Sequence, residues 1–318
     1  MKKAIVSGAS GFIGSAFVEF LVNRDIEVLA TGRKSLHNIQ DVRRRRLKGS
    51  SYISLDLQNI DQLPGHISQS GWETGDDCVF INLAWGGVAR LSDMDVRAQL
   101  ANVHGSVKAV EVAKGLGCTR FVQIGTMEEA FTDAYLNLNH RVDTQFNRHV
   151  IYSVAKTVAK RAVLLKAQEV GLDLLYVLHS HVMGPGDDKD SFLQVTLEKL
   201  IKGDDLIFSS GEQFFDVISL EDCARGYFLI CETGKPGETY WVGSGNPRRL
   251  REYVERMYAL FPSEKTMQFG SLGYDDVQLS PETFSTDKLI SDTGFEPQIS
   301  FEDTVRELHH YLLADQEF

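Results

Sequence analysis

The chain has 318 residues, 43% of them hydrophobic, and a formal net charge of −11. The length suits two ordinary domains or one dinucleotide domain with an elaborated cap, and the apolar content is enough for a sizeable core. The acidity argues against a nucleic-acid partner, which needs a basic face, and no uninterrupted apolar stretch is long enough to span a membrane.

Lys3-Ala4-Ile5-Val6-Ser7 is a short apolar run that reads as a strand. Met1 stands within three residues of it, which leaves no room for a secretory signal and makes a cytoplasmic location the expectation. Next come Gly8-Ala9-Ser10-Gly11-Phe12-Ile13-Gly14 and a helical pattern through Phe17, Phe20 and Leu21. A G-x-x-G-x-x-G run between a strand and a helix is a dinucleotide-binding signature. Gly8 permits the tight turn, Gly11 lets backbone approach a pyrophosphate, and Gly14 lets helix and strand pack closely; the helix N-terminus offers N–H groups to the phosphates. Ser10, Phe12 and Ile13 share that loop.

A second strand over 26–31 ends in Ala30-Thr31-Gly32-Arg33-Lys34. NAD enzymes place Asp or Glu near this point to hold the ribose diol. Here Thr31 is followed by no carboxylate but by two cations, and the planar fork of Arg33 suits a 2′-phosphate. NADP(H) is therefore the expected cofactor; the alternative is an unselective site with Arg33 as a loop cation. The run Arg43 to Arg46 reads first as a solvated helix end, with added positive potential beside a cofactor phosphate as the sharper alternative. A third strand, 51–55, leads into Asp56-Leu57, placed to read an adenine edge.

The strand 78–83 contains Val79-Phe80-Ile81, an inner-strand pattern. Trp85, with Gly86 and Gly87, follows it, as a wall against a substrate ring or as a core Trp. A helical pattern fills 95–115, a strand 120–125, a helix 151–170 and a strand 173–178. This βαβα rhythm predicts an α/β Rossmann-type, doubly wound parallel sheet with helices on both faces. It breaks after Gly184-Pro185-Gly186. Helices at 191–202, 248–260 and 300–313 with short strands then read as a smaller α/β substrate-binding region. The dinucleotide domain is assigned to 1–178 with 206–232 returning to it, and the substrate region to 179–205 and 233–318. Cys78, Cys118, Cys223 and Cys231 are dispersed without a C-x-x-C pair and read as reduced buried thiols, so no metal is expected.

Tyr152-Ser153-Val154-Ala155-Lys156 is Y-x-x-x-K, which puts phenol and ammonium on one helix face. A cation beside a phenol favours the phenolate, so Tyr152 can exchange a proton with a carbonyl oxygen as hydride moves at carbon. Thr126 follows the strand ending Gln123-Ile124-Gly125, where open α/β sheets bind ligands, and can hold the same oxygen. Glu128 and Glu129 come next, to assist proton transfer or to cap. His179 and His181 flank Ser180; each reads as structural before it reads as an acid.

Gly8 to Gly14, Thr126, Tyr152 and Lys156 together resemble the extended short-chain dehydrogenase/reductases, nucleotide-sugar branch, over nearly the whole chain. The resemblance implies cofactor contacts from the glycine loop, Leu83, Ala84, Trp85, Asn102, Ile124, His181 and Val182, besides Tyr152 and Lys156. It implies substrate contacts from Trp85, Thr126, Met127, Glu128, Phe192 and Arg248. It also implies a homodimer through the helices 95–115 and 151–170, and it matches Asp216 to Asp222 and Tyr240 to Gly245 with a family strand, acidic turn and late strand.

Departures narrow the activity. The family's 4,6-dehydratases place Thr-Asp-Glu after strand five, whereas this chain has Thr126-Met127-Glu128, and a thioether donates no proton. The 4-epimerases keep an acid after strand two. What remains resembles NADPH-dependent reductases of nucleotide-linked 4-keto-6-deoxy sugars, of the CDP-abequose synthase type. A 4-epimerase with tightly bound NAD(P) and a non-catalytic dinucleotide-binding regulatory protein are the alternatives. Where the family often carries Arg before Asp216, against the substrate diphosphate, this chain has Phe215; either another cation replaces it, with Lys189, Lys202, Arg248 and Arg249 as candidates, or the substrate pose differs.

Overall fold

The computed structural model describes residues 1–75, 77–87, 95–137, 150–187, 191–262, 265–273 and 277–316, the last two without their side chains. The first half alternates as expected: β1 (Lys3–Ser7), α1 (Phe12–Val22), β2 (Glu27–Gly32), α2 (Asp41–Arg46), β3 (Ser51–Ser54), α3 (Leu63–Ser70), β4 (Cys78–Asn82), α4 (Val96–Gly115), β5 (Arg120–Ile124), α5 (Thr132–Leu136), α6 (Val150–Val170) and β6 (Asp173–His179). After these come β7 (His181–Met183), α7 (Phe192–Lys202), β8 (Leu206–Ile207), β9 (Phe214–Phe215), β10 (Val217–Ser219), α8 (Leu220–Thr233), β11 (Thr239–Val242), β12 (Arg248–Arg249), α9 (Leu250–Leu260), β13 (Met267–Gln268), α10 (Asp287–Thr293) and α11 (Phe301–Gln316).

The main sheet is parallel and ordered β11-β6-β5-β4-β1-β2-β3. Side chains alternate across it, as strand geometry requires. Ala4, Val6, Val79, Ile81, Val122 and Val177 face α1 and α8, while Ile5, Phe80, Phe121 and Leu174 face α4 and α6. Burial on both faces explains why the inner strands are apolar without a break. The chain runs outward from β1 to β3 in one direction and from β4 to β11 in the other. The two directions part between β1 and β4, and the carboxyl ends there open a crevice.

The smaller region has its own core, in which Leu193, Leu197, Tyr253, Val254, Met257, Val305 and Leu308 join α7, α9 and α11. Its ladders are short: β7 with β10, β9 with β12, and β8 with β13. Two boundaries move relative to the sequence reading. β11, assigned to the substrate region, is the edge strand of the main sheet, paired with β6 from Thr239↔Tyr176 to Val242↔His179. The segment returning to pack on the main sheet is α8, from Leu220, and does not start at 206: Leu206 and Phe208 belong to the smaller core, and β10 pairs with β7. Short strands of either region look alike in sequence; only their partners tell them apart.

The Arg43–Arg46 run is no solvated helix end throughout. Arg43 is buried and donates to the Gly186 carbonyl at 2.8 and 2.7 Å, which ties α2 to the loop that leads into the smaller region. Arg46 lies 3.5 Å from Glu19 of α1. Four consecutive arginines cannot reveal which one turns inward. Among the described residues no helix is long and apolar enough to cross a membrane.

Candidate active site

The crevice is edged first by backbone. Gly8 has φ +77°, and a Cβ on it would stand 2.6 Å from the Ala84 nitrogen. A Cβ on Gly14 would fall on the Gly8 carbonyl oxygen. So the phosphate loop, the start of α1 and the β4 loop approach as only glycine allows. Gly11 caps α1 with no side-chain bond, which leaves the first-turn N–H groups for an anion. A dinucleotide pyrophosphate fits this cradle.

Asn82 ends β4 and organises the crevice. It accepts from Ser7 Oγ at 2.5 Å and from Ala84 N at 3.3 Å, and it donates to Gln123 Oε1 at 2.9 Å. β1, β4 and β5 are thereby cross-linked at their carboxyl ends. Asn102 of α4 exchanges two 2.9 Å bonds with the backbone of Gly86, and Trp85 Nε1 donates to Gln99 at 2.7 Å. Asn102 acts by holding the loop of Leu83, Ala84 and Trp85. Thr31 is buried and its carbonyl accepts from Ala9 N, while Arg33 and Lys34 are exposed beyond it. The Asp56 carboxylate accepts from Gln58 N, capping the turn that follows β3. Leu57 is a core residue packed under α4 at Gly105.

Thr126, Tyr152 and Lys156 come together at the end of β5, all nearly buried. The Thr126 hydroxyl stands by the Tyr152 phenol and favours its ionised form. Lys156 Nζ donates to the Ile124 carbonyl at 3.2 Å and lies 4.0 Å from the centre of the Trp85 ring. Trp85 also meets Tyr152 edge-to-face at 6.3 Å. Burial pushes the Tyr152 phenol well above its usual range, and Glu128 and Glu129 push the same way; the Thr126 hydroxyl opposes them. The expected pull of Lys156 on the phenol is not what dominates here, since its ammonium is directed at Ile124 and Trp85. Tyr152 is therefore a protonated donor at neutral pH.

Met127 is half-buried beside Thr126. Glu128 is buried and accepts from the Tyr135 hydroxyl at 2.8 Å. Glu129 closes a capping box onto Thr126: its carboxylate accepts from Thr126 N at 3.0 Å and from the Tyr176 hydroxyl at 2.9 Å. Burial raises its pKa, against the attraction of Lys156, the Tyr176 bond and Lys160. Glu128 is buried and Glu129 half-buried, each engaged by a tyrosine hydroxyl. Tyr135, Tyr176 and Gln99 carried no signal in sequence, since each is recognised only by the partner it meets in space.

The remaining expected residues lie where the two regions join. His181 pairs with Val217 between β7 and β10, with its ring 5.4 Å from that of Phe215; Val182 is core. His179 contacts the Ser180 carbonyl at 2.9 Å. Asp216 is buried and accepts from Ser180 Oγ at 2.5 Å, from Ser244 N at 3.0 Å and from the Ser244 hydroxyl. Trp241 Nε1 reaches Ser180 at 2.8 Å. Asp222 accepts from the backbone of Gln298 and Ile299. These acids hold the junction together.

Phe192 is exposed at the start of α7, 5.7 Å from Phe208. Arg248 stands directly opposite Phe215 in the β9–β12 ladder. Arg249 pairs with Glu212 at 2.6 Å, and Lys202 lies 3.9 Å from Glu198. Lys189 lies outside the described residues.

The model of the NAD dependent epimerase/dehydratase family matches residues 4–243. The chain belongs to that family, within the extended short-chain dehydrogenase/reductases. It is 25% identical over 310 residues to CDP-abequose synthase of Salmonella typhimurium, with 96% of each chain covered. It is 22% identical over 340 residues to dTDP-glucose 4,6-dehydratase of Haemophilus influenzae, with 98% of each covered. UDP-glucose 4-epimerase of Thermotoga maritima, solved with UDP-glucose, shares the fold with a TM-score of 0.79 at 19% identity, 99% of each chain covered.

Proposed function

We propose that the protein is an NADPH-dependent reductase of the C4 keto group of a nucleotide-linked 4-keto-6-deoxy sugar. The observation that carries this reading is the convergence of buried Thr126, Tyr152 and Lys156 at the end of β5, with Met127 standing where a dehydratase needs an acid. A bound reduced nicotinamide supplies hydride. The protein supplies the proton: Tyr152 gives it to the sugar oxygen, Thr126 orients that oxygen, and the positive charge of Lys156 favours the phenolate left behind. Arg33 and Lys34 at the end of β2 support a 2′-phosphate in place of a ribose diol.

Arg248 supports a diphosphate. Opposed residues in an antiparallel ladder project from the same face, so Arg248 presents its cation beside Phe215, where the family resemblance leads one to expect Arg. Exposed Val96 and Leu100 on α4, with Val158 and Leu165 on α6, support a homodimer through those two helices.

The test is a panel of enzymatically made 4-keto-6-deoxy sugars linked to CDP, GDP and dTDP, followed by NADPH consumption. Turnover with one of them is the expected result. No turnover, together with purified protein that retains its cofactor and interconverts C4 epimers, would replace the reductase by an epimerase.

A further inference from the structure

The carboxyl end of β2 is where a dinucleotide enzyme meets the adenosine ribose, and Gly32 closes that strand. A Cβ on Gly32 would stand 2.5 Å from Ser10 Oγ and 2.9 Å from the Tyr52 hydroxyl. Ser10 comes from the phosphate loop and Tyr52 from β3, and their hydroxyls stand side by side over Gly32. The Tyr52 hydroxyl also donates to the Lys34 carbonyl at 2.6 Å and lies 3.1 Å from that of Gly32. The phenol therefore bridges the phosphate loop and the turn that carries Arg33 and Lys34. Arg33 makes no ion pair among the described residues, and it reaches across the crevice. Its Nη1 lies 3.8 Å from the place a Cβ of Gly86 would take.

We propose that Tyr52 is a specificity-determining residue for a 2′-phosphorylated dinucleotide and acts in two ways. With Ser10 it fills the space that a strand-end carboxylate would need in order to receive a ribose diol. The Tyr52 hydroxyl, beside Ser10 and bonded to the Lys34 carbonyl, also holds the turn that presents Arg33 and Lys34 to a phosphate. This rests on the NADPH reading above and extends it to a residue outside both the glycine loop and the basic pair. One consequence is that Gly32→Asp alone cannot create an NAD site, because the new carboxylate has no room.

The experiment is a titration of nicotinamide fluorescence with NADPH and NADH. It uses the parent, Tyr52→Phe, Gly32→Asp, and the triple variant Gly32→Asp with Ser10→Gly and Tyr52→Phe. The readout is the ratio of the two affinities, which a general loss of folded protein leaves unchanged. Tyr52→Phe is expected to weaken NADPH about tenfold and to leave NADH within about twofold, the effect of one hydrogen bond near a charge. Gly32→Asp is expected to lose NADPH without gaining NADH, and the triple variant to bind NADH about tenfold tighter than Gly32→Asp does. Equal weakening of both cofactors by Tyr52→Phe would overturn the role of the turn. A gain of NADH by Gly32→Asp alone, or no gain in the triple variant, would overturn the space-filling role. A parent without preference refutes the NADPH reading itself, and that result is visible before any variant is made.

Discussion

At the β1–β4 crevice the walls are largely main chain: Gly8 against the Ala84 nitrogen, Gly14 against the Gly8 carbonyl, and the first turn of α1 without a side-chain cap. In the smaller region the polar surface is side chain, mounted on a two-residue ladder and on the helices α9 and α11: Arg249 and Arg251 on Glu212, Arg256 on Glu302, Arg248 opposite Phe215. A wall of backbone admits almost no substitution, because any Cβ collides with atoms that cannot move. A wall of side chains can shift a charge to the facing strand and keep it within reach of the same ligand. The first kind of site suits the nicotinamide dinucleotide on which the family depends. The second can vary with the substrate.

The sharpest way to break this contrast is at the point where both regions converge. Tyr152→Phe removes the proposed proton donor and no backbone contact, so turnover should fall about 10² to 10⁴-fold with cofactor affinity nearly unchanged. Turnover within a few-fold of the parent would assign the proton to another group. Next in size is the side-chain exception within the backbone-built half. Arg33→Ala should weaken NADPH about ten- to a hundredfold and spare NADH, as expected for one charge-assisted phosphate contact. Paired titrations of the two cofactors measure it, and an equal effect on both would make Arg33 a loop cation.

In the smaller region, Arg248→Met should raise KM for the nucleotide sugar about tenfold and change kcat little, since the cation binds the ground and transition states alike. A loss confined to kcat would remove Arg248 from the diphosphate. A smaller effect is set by the half-buried acid behind Thr126. Glu129→Gln keeps an acceptor for Thr126 N and Tyr176 but removes a negative charge that raises the Tyr152 phenol. Reduction needs the protonated phenol, so the alkaline fall in kcat should move to lower pH by less than about one unit. A limb that stays put, or moves upward, contradicts that coupling.

The smallest expected effect is at the edge of the sheet. Asp292 of α10 meets Lys235, Lys288 and the Tyr240 hydroxyl, and the bond to Lys235 holds its carboxyl down to about 2. A depressed carboxyl stabilises the fold above its ordinary value of 3.8, and that contribution is lost as pH falls from there toward 2. Asp292→Asn should therefore flatten the decline of Tm in that window and lower Tm by only a few degrees at neutral pH. Melting curves from pH 2 to 7 check it, and an unchanged slope would leave Asp292 without a role in acid stability.

The residues that sequence alone determined are those whose meaning is local. The strand 3–7 and the loop Gly8–Gly14 are contiguous, and their conformation follows from the missing Cβ atoms. Tyr152 and Lys156 share a helix face by spacing alone, and the apolar inner strands announce burial on both faces. Tertiary structure decided the rest. Arg43 turns inward to Gly186, 143 positions away. β11 joins the main sheet by pairing with β6. Glu129 of the β5 turn is bonded to Tyr176, 47 positions on. Ser10, Gly32 and Tyr52 come from three separate elements to close the end of β2. Hydrogen bonds between distant residues leave no period and no spacing in the chain, because their partners are chosen by packing, after the local elements have formed.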